Sequence, residues 1–142
     1  MEDRYLFKAK RLDNGEWVKG ALVYDDKDKL YRIITEISYY TGTCLTADNA
    51  PRVESSTICQ CTGLKDKNGK LIWENDVVGF WDTYSTENGQ AEMDCIGKVV
   101  WDDETISFQV TNGLSAESYE VLDECSVIGN IFDNPELLES EE

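Results

Sequence analysis

The sequence predicts a mostly β fold with an N-terminal β-meander over residues 1–50 and a C-terminal unit over residues 57–142. The second unit is expected to be a small β-barrel or sandwich, of which an SH3-like barrel is one form, followed by a short helix. Short runs of β-branched and aromatic residues alternate with turn residues, as is typical of strands joined tightly. A length of 142 residues fits one domain or two small units. Asn-Gly pairs, which are typical of tight turns, occur at 14–15, 68–69, 88–89 and 112–113.

The meander is predicted to have three strands, at residues 5–10, 16–24 and 30–34. Asn14-Gly15 joins the first two, and a charged run joins the second to the third. Asn followed by Gly favours a type I′ turn, because both central positions of that turn need a positive φ. Residues 41–56 read as a loop containing a proline, which is unsuited to a central strand, so we place the boundary between the units there.

In the C-terminal unit, the acidic turn Asp102-Asp103-Glu104 is predicted to join strands 95–102 and 105–111. The alternation of Ile106, Phe108 and Val110 with polar residues predicts that one face is buried. The polar stretch 82–94 is predicted to be a long loop, and its carboxylates lack the spacing of an EF-hand calcium loop. The other strands are expected at 57–64, 70–74, 77–82, 117–122 and 126–132.

Two local motifs predict corners of the backbone. Asn75 is expected to turn the chain, and Asp76 to accept a hydrogen bond from that turn. Near the end, Asn134 is a suitable N-cap and Pro135 a suitable first residue for a short helix.

The sequence contains no set of residues that is typical of a catalytic site. It contains no histidine, which excludes Ser-His and Cys-His pairs and histidine-ligated metals, and it has no phosphate-binding glycine loop. Cys59 and Cys61 are spaced as Cys-x-Cys but lack the second pair of a zinc site, so we predict buried, reduced thiols as in a cytosol. We therefore expect a protein that is not an enzyme, with no metal and no cofactor. No apolar run approaches the length of a membrane span, and no secretory signal is recognisable at the N-terminus.

The charge is distributed unevenly along the chain. Residues 1–70 carry 12 basic and 11 acidic side chains, whereas residues 71–142 carry only Lys98 against 18 acidic ones. Such a field repels nucleic acids and anionic membranes and attracts basic surfaces, although solubility alone is the plainer interpretation. The acidic half also opposes the use of its aromatic rings as a nucleotide-stacking platform. Most of these rings are therefore predicted to be core: Trp73, Phe80, Trp81, Trp101, Phe108 and Phe132.

Two motifs resemble the YopX family, small proteins encoded by phages and prophages. One is Thr62–Ile72 followed by Glu74, Asp76 and Val77-Val78, and the other is Val127–Leu138. Gly97–Trp101 is similar to the family's middle strand. The chain has Asn75 where the family usually has glycine. The resemblance implies a mostly β protein of phage origin acting inside a bacterium, and it supplies no catalytic residue.

Three functions remain open at this point. The first is a binding protein in the host cytoplasm that inhibits a basic host protein, such as a nuclease, polymerase or defence complex, by mimicking nucleic acid. The second is a small-ligand or nucleotide module using Arg4, Lys8, Lys10 and Arg11, and the third is an oligomeric hub. The first predicts an acidic partner-binding surface that consists of Asp102, Asp103, Glu104, Glu117, Glu120, Asp123, Glu124, Glu139, Glu141 and Glu142.

Overall fold

Nine strands form two antiparallel sheets in the computed structural model, which describes residues 5–35, 49–111 and 124–139. Only the backbone is described for 82–85, 92–93 and 139. This confirms the mostly β fold, and within the described residues neither sheet closes into a barrel. The strands and helix are β1 (Phe7–Lys10), β2 (Trp17–Asp25), β3 (Leu30–Ile34), β4 (Cys59–Lys65), β5 (Leu71–Trp73), β6 (Asp76–Thr86), β7 (Gly89–Asp102), β8 (Ser107–Val110), β9 (Ser126–Asn130) and α1 (Glu136–Glu139).

The chain divides into two compact units, a first unit of Met1–Cys61 and a second unit of Thr62–Glu142. The strand order in one sheet is β3-β2-β1-β4-β5, and in the other it is β8-β7-β6-β9. Strand β4 runs through the division between the units. The predicted meander is present as β1–β2–β3, but β1 also pairs with the start of β4, a partner from much later in the chain.

The first unit is built around a small apolar core and one buried cation. Ala9, Ile33 and Val53 form the core; Ala9 is the buried residue of β1, and in β3 both Arg32 and Ile33 are buried. Arg32 is 7% exposed and donates hydrogen bonds to Asp25 (2.7 Å), to Asp28 (2.9 Å) and to the carbonyl oxygen of Ala50 (2.9 Å). The hydrogen bond from Arg32 holds the pKa of Asp25 below its ordinary value, and Asp25 in turn raises the pKa of Arg32.

The predicted loop at 82–94 is wrong, because these residues continue strands β6 and β7. The two strands pair from Val77 opposite Lys98 to Thr86 opposite Gly89, with a turn at 87–88. The run Thr83-Tyr84-Ser85-Thr86 is rich in residues that favour strands, which accounts for the extension of β6 despite its polarity. The predicted strand at 117–122 and the Asn112-Gly113 turn lie outside the described residues.

The Asn-Gly turns are real, but the predicted type I′ geometry is wrong at the three described pairs. Gly15, Gly69 and Gly89 have φ values of 73°, 83° and 117°, whereas none of the preceding asparagines has a positive φ. The glycine alone takes the left-handed position, as in a type I turn followed by a bulge. The other corner is confirmed: Asn75 has a φ of 71°, and Asp76 accepts a hydrogen bond from the backbone N–H of Trp73 at 2.8 Å.

The core of the second unit contains residues from both sheets. Val78, Phe80 and Val99 lie on one face of the four-stranded sheet, and Ile72 of β5 and Cys125 are buried with them. The predicted helix is confirmed as α1. Asn134, the predicted N-cap, accepts the N–H of Leu137 with its backbone carbonyl oxygen. Its side-chain oxygen accepts the N–H of Asn130, at 3.3 Å.

Candidate functional site

The predicted acidic surface is only partly described. Asp102, Asp103, Glu104 and Glu124 are described in full, and Glu139 by its backbone. The other predicted partner-binding residues lie outside the described part of the chain: Glu117, Glu120, Asp123, Glu141 and Glu142.

Asp102, Asp103 and Glu104 lie together where β7 turns into β8, as predicted. Asp102 accepts a hydrogen bond from the backbone N–H of Glu104 at 2.9 Å, and Asp103 accepts one from the indole N–H of Trp101 at 2.8 Å. Two of the three carboxylates therefore accept hydrogen bonds that stabilise the turn, in addition to giving it negative charge. We call these three residues the acidic turn.

Two apolar side chains lie exposed beside the acidic turn. Ile106 was predicted to be buried in β8, but it belongs to the turn, with a φ of 52° and 75% of its surface exposed. A β-branched residue in the left-handed region is strained by roughly 1–2 kcal/mol. Trp101 is 42% exposed and meets Phe108 edge to face, with ring centroids 5.1 Å apart. The turn thus presents carboxylates together with apolar surface.

Glu124 lies elsewhere on the second unit. It precedes Ser126, which pairs with Gly79, and Gly79 pairs with Ile96 on β7. Asp102 is six residues further along β7 than Ile96, a distance of about 20 Å along the strand. Within the described residues, the acidic candidates therefore form two groups rather than one continuous surface.

Glu124 lines a cleft of about 280 Å³ on the face of the four-stranded sheet opposite its buried side chains. We call it the Trp81 cleft, since Trp81 is 62% exposed on its wall. Trp81 pairs directly across the strands with Asp94, so their side chains share one face. A Cβ added at Gly79 would have only the side chain of Ile128 within 4 Å, at 3.9 Å, so the floor of the cleft is open. The lining residues are Lys67, Gly79, Phe80, Trp81, Asp94, Cys95, Ile96, Glu124, Ser126 and Ile128.

One edge of the cleft is held in place by Asp66, which is 6% exposed. Its Oδ1 accepts the backbone N–H groups of Asn68 and Lys70, each at 2.9 Å, and its Oδ2 accepts that of Val127 at 2.9 Å. Burial acts to raise the pKa of Asp66, but these three hydrogen bonds outweigh it and hold the pKa below its ordinary value. The hairpin that carries Lys67 is thereby fixed to β9.

The basic residues of the first unit form a different arrangement. Lys8 and Lys10 lie over the ring of Trp17, with their Nζ atoms 4.7 and 5.4 Å from its centroid. Arg11 is bound to Asp13 by an ion pair of 2.7 Å, and Arg4 lies outside the described residues. A second cleft of about 310 Å³ lies beside Tyr24 and Tyr31, whose rings meet edge to face at 5.1 Å.

Among the cysteines that the structure describes, Cys59, Cys61, Cys95 and Cys125 are buried and not joined in disulfides. Across ranges 5–35, 49–111 and 124–139, no cluster of three or more cysteine or acidic side chains is arranged to hold a metal ion. Over the same ranges, no helix combines the length and hydropathy that a membrane crossing needs.

The sequence reasoning missed the Trp81 cleft, although a signal for it was present. Trp81 was assigned with most other rings to the core; Trp73 and Phe80 are buried as predicted, whereas Trp81 and Trp101 are exposed. The Asn88-Gly89 pair signalled a hairpin, and the strands turn at 87–88, with Trp81 and Asp94 each six residues from that turn. Extending the strands outward from 87–88 places the two residues opposite each other.

Comparison with known proteins agrees with this architecture. Residues 6–139 match the family described as YopX protein. The chain is also similar to a crystal structure of protein EF1440 from Enterococcus faecalis, with 30% sequence identity, a TM-score of 0.56, and coverage of 93% of this chain and 96% of that one. No curated protein matches the chain.

Proposed function

The chain belongs to the YopX family, and from that premise we propose that it is a non-enzymatic binding protein that acts on a basic protein. The proposed setting is the cytoplasm of a host cell infected by a phage. There the acidic surface of the second unit would occupy a cleft that otherwise holds nucleic acid. The proposed consequence is inhibition or modulation of a nucleic-acid-acting or defence protein.

The observation that supports this proposal is the division of charge between the two compact units. The second unit holds 19 acidic and four basic residues, a net charge of −15, whereas the first unit holds ten and nine, a net charge of −1. A field of one sign steers an oppositely charged partner and speeds its association. Nearly the whole net charge of the protein therefore acts from one unit.

The acidic turn is the proposed contact within that field. Trp101 and Ile106 provide exposed apolar surface beside its three carboxylates. Energetic hot spots in protein interfaces are enriched in tryptophan, and charged groups around them supply steering and register. An acidic rim around an exposed tryptophan fits a basic cleft better than a purely charged surface would.

The test is capture of a partner from host lysate with a charge-matched pair of variants. We expect the wild-type protein to capture a basic protein at low salt and to lose most of it as salt rises, because exposed charges are screened within about 8 Å at physiological ionic strength. The double variant Asp103→Asn with Glu104→Gln keeps the side-chain shapes and removes two charges. We expect about tenfold weaker capture, since rim charges change mainly the association rate.

The matched control is Glu16→Gln with Glu54→Gln, which removes two exposed charges from the first unit. It should leave capture unchanged. If no basic protein is captured at low salt, or if the two double variants behave alike, the proposed function is wrong.

A small-ligand module is a second candidate, favoured by the cleft beside Tyr24 and Tyr31 and by the lysines around Trp17. A ligand that binds only the folded state raises the melting temperature. A thermal-shift screen with nucleotides distinguishes this candidate from the first, and stabilisation by none of them would count against it. Light scattering on the same samples tests the oligomeric alternative.

A further inference from the structure

Each unit carries a tryptophan on the outer face of its sheet, and the two are surrounded differently. Trp17 pairs across the strands with Lys10, and the ammonium groups of Lys8 and Lys10 lie over its ring. Trp81 pairs with Asp94 instead. Among the described residues no cation lies over the ring of Trp81. The ring of Trp17 is therefore covered by cations of its own unit, whereas the face of Trp81 is left open to a cation from outside.

Carboxylates line the Trp81 cleft, whereas lysines lie over the ring of Trp17. Asp94 lines the Trp81 cleft from β7, and Glu124 lines it beside β9. Within the described part of the chain neither carboxylate forms an ion pair. Lys67 also lines the cleft, which leaves a formal charge of −1 on the lining residues. An aromatic face flanked by carboxylates attracts a cation through both the ring quadrupole and the charges.

The size of the cleft limits what it can accept. Its volume of about 280 Å³ is at the lower end of the roughly 300–1,000 Å³ of pockets that bind small molecules. The open floor over Gly79 and the apolar side chains of Ile96 and Ile128 suit the aliphatic stem of a long side chain. The cleft therefore suits one protein side chain better than a nucleotide.

From these observations we propose that the Trp81 cleft receives an arginine or lysine side chain of the partner protein, with its charged head over Trp81 and between Asp94 and Glu124. The proposal rests on the proposed function insofar as it assumes a basic partner. It adds a second contact at Trp81 and Asp94, about 26 Å along the strands from the acidic turn. Two contacts at that spacing would fix the orientation of the partner, which a diffuse field cannot do.

The experiment measures the cleft directly, without the unidentified partner. The probe is an acetylated, amidated peptide Gly-Leu-Arg-Leu-Gly, and the control is the same peptide with citrulline in place of arginine, which keeps the shape and removes the charge. The chain has four tryptophans, so their four indole N–H signals in an NMR titration report four separate places. We expect the Trp81 signal to move saturably with the arginine peptide, at least about fivefold more strongly than with citrulline, while the signals of Trp17, Trp73 and Trp101 stay in place.

Two double variants separate this proposal from the proposed function. Asp94→Asn with Glu124→Gln should weaken the arginine peptide about tenfold, whereas Asp103→Asn with Glu104→Gln should leave its binding within about twofold. If the Trp81→Ala variant captures the partner normally and the acidic-turn variant does not, the proposed function stands and the proposed role of the Trp81 cleft is overturned. A selective shift of the Trp81 signal would support the cleft even if lysate capture failed.

Three further outcomes would overturn the proposal. The first is equal movement of the Trp81 signal with both peptides, which would mean apolar docking without cation recognition. The second is no movement at millimolar peptide. The third is movement of the Trp81 signal on dilution of the protein alone, since this would identify a second copy of the chain as the occupant.

Discussion

Among the described residues, Arg32 is the buried charged side chain of the first unit, and Asp66 is one of two in the second unit, the other being Asp76. Arg32 and Asp66 are stabilised by different means. Arg32 in the first unit is balanced by opposite charges, the carboxylates of Asp25 and Asp28. Asp66 in the second unit is balanced by the dipoles of three backbone N–H groups. A charge balanced by side chains depends on partners that can move and that solvent can reach, whereas a charge balanced by backbone depends on the fold itself.

The reach of the two arrangements also differs. The side chain of Asp66 connects positions 61 residues apart through Val127, whereas the longest side-chain hydrogen bond of Arg32 spans 18 residues, to Ala50. The carboxylates that pair with Arg32 are partly exposed, at 18% for Asp25 and 32% for Asp28. Solvent screens such pairs and lowers their contribution to stability. The comparison therefore predicts that the second unit is more sensitive to loss of the Asp66 charge than the first unit is to loss of the Arg32 charge.

The largest effect is expected for Asp66→Ala. Removing the carboxylate leaves three N–H groups without their acceptor, and each buried unsatisfied group costs about 1–3 kcal/mol. Some of them will find water, so we expect a loss of about 3 kcal/mol in the free energy of unfolding. Urea denaturation measures this, and hydrogen exchange should show lost protection at the amides of Asn68, Lys70 and Val127.

The control for Asp66→Ala is Asp94→Ala, which removes an exposed carboxylate of the same unit and should cost less than about 0.5 kcal/mol. Equal costs for the two variants would show that the backbone hydrogen bonds of Asp66 contribute nothing particular. The comparison between the units would then fail.

A smaller effect is expected for Arg32→Met, which keeps the length of the side chain and removes its charge. Removal of one partner from a fully buried ion pair costs about 3–5 kcal/mol. Because Asp25 and Asp28 remain partly solvated and Arg52 still pairs with Asp28, we expect about 2 kcal/mol. The amide of Ile33, which donates to Pro51 at 3.2 Å, reports the loss by hydrogen exchange. A loss larger than that of Asp66→Ala would reverse the order predicted here.

The free energy of unfolding is expected to fall at acidic pH because of Asp66. The pKa of Asp66 is lower in the folded state than in the unfolded chain, so the unfolded chain binds more protons as the pH falls. The stabilisation is complete above the unfolded pKa of about 3.9 and is lost as the pH falls through the folded pKa. We expect the wild type to lose more stability than Asp66→Asn between about pH 5 and pH 2.

Urea denaturation midpoints at a series of pH values measure this difference. Asp25→Asn serves as a comparison from the first unit, since the pKa of Asp25 is lowered as well, chiefly by Arg32. Parallel pH profiles for the wild type and Asp66→Asn would contradict the role assigned to the Asp66 carboxylate.

The smallest effect is expected for Arg52→Met. Its ion pair with Asp28 measures 2.9 Å, but the Arg52 side chain is 55% exposed. Exposed pairs contribute about 0–1 kcal/mol and are screened by salt, so we expect at most about 0.5 kcal/mol. Urea denaturation at low and high salt measures it. A cost that matches that of Arg32→Met would mean that burial does not distinguish the two arginines.

The sequence was sufficient to predict features set by neighbouring residues. Asn75 and Asp76 form the predicted corner, because the tolerance of Asn for positive φ and the reach of Asp to a nearby N–H are local properties. The turn at Asp102-Asp103-Glu104 was predicted for the same reason. The strands of the meander also follow from local patterns of β-branched and aromatic residues.

Features that depend on distant partners were not predictable in this way. Nothing near β1 indicates that it pairs with Cys59 and Gln60, and nothing near Asp66 indicates that it binds Val127. Ile106 follows the alternation of a strand, yet the turn extends one residue further than the polar run and exposes it. The acidic half was predicted from composition, but its division into the acidic turn and the Trp81 cleft follows from strand register, which composition does not contain.

The bond between Asp66 and Val127 has a further consequence for how the protein behaves at high concentration. Strand β9 is at the edge of its sheet, and edge strands are templates on which foreign strands can add. Here the Val127 N–H is taken by a carboxylate, and the carbonyl oxygen of Cys125 is taken by the N–H of Lys67. A carboxylate has no N–H to offer to an incoming chain. This stretch of the edge therefore resists the edge-to-edge addition of strands and the growth of fibrils.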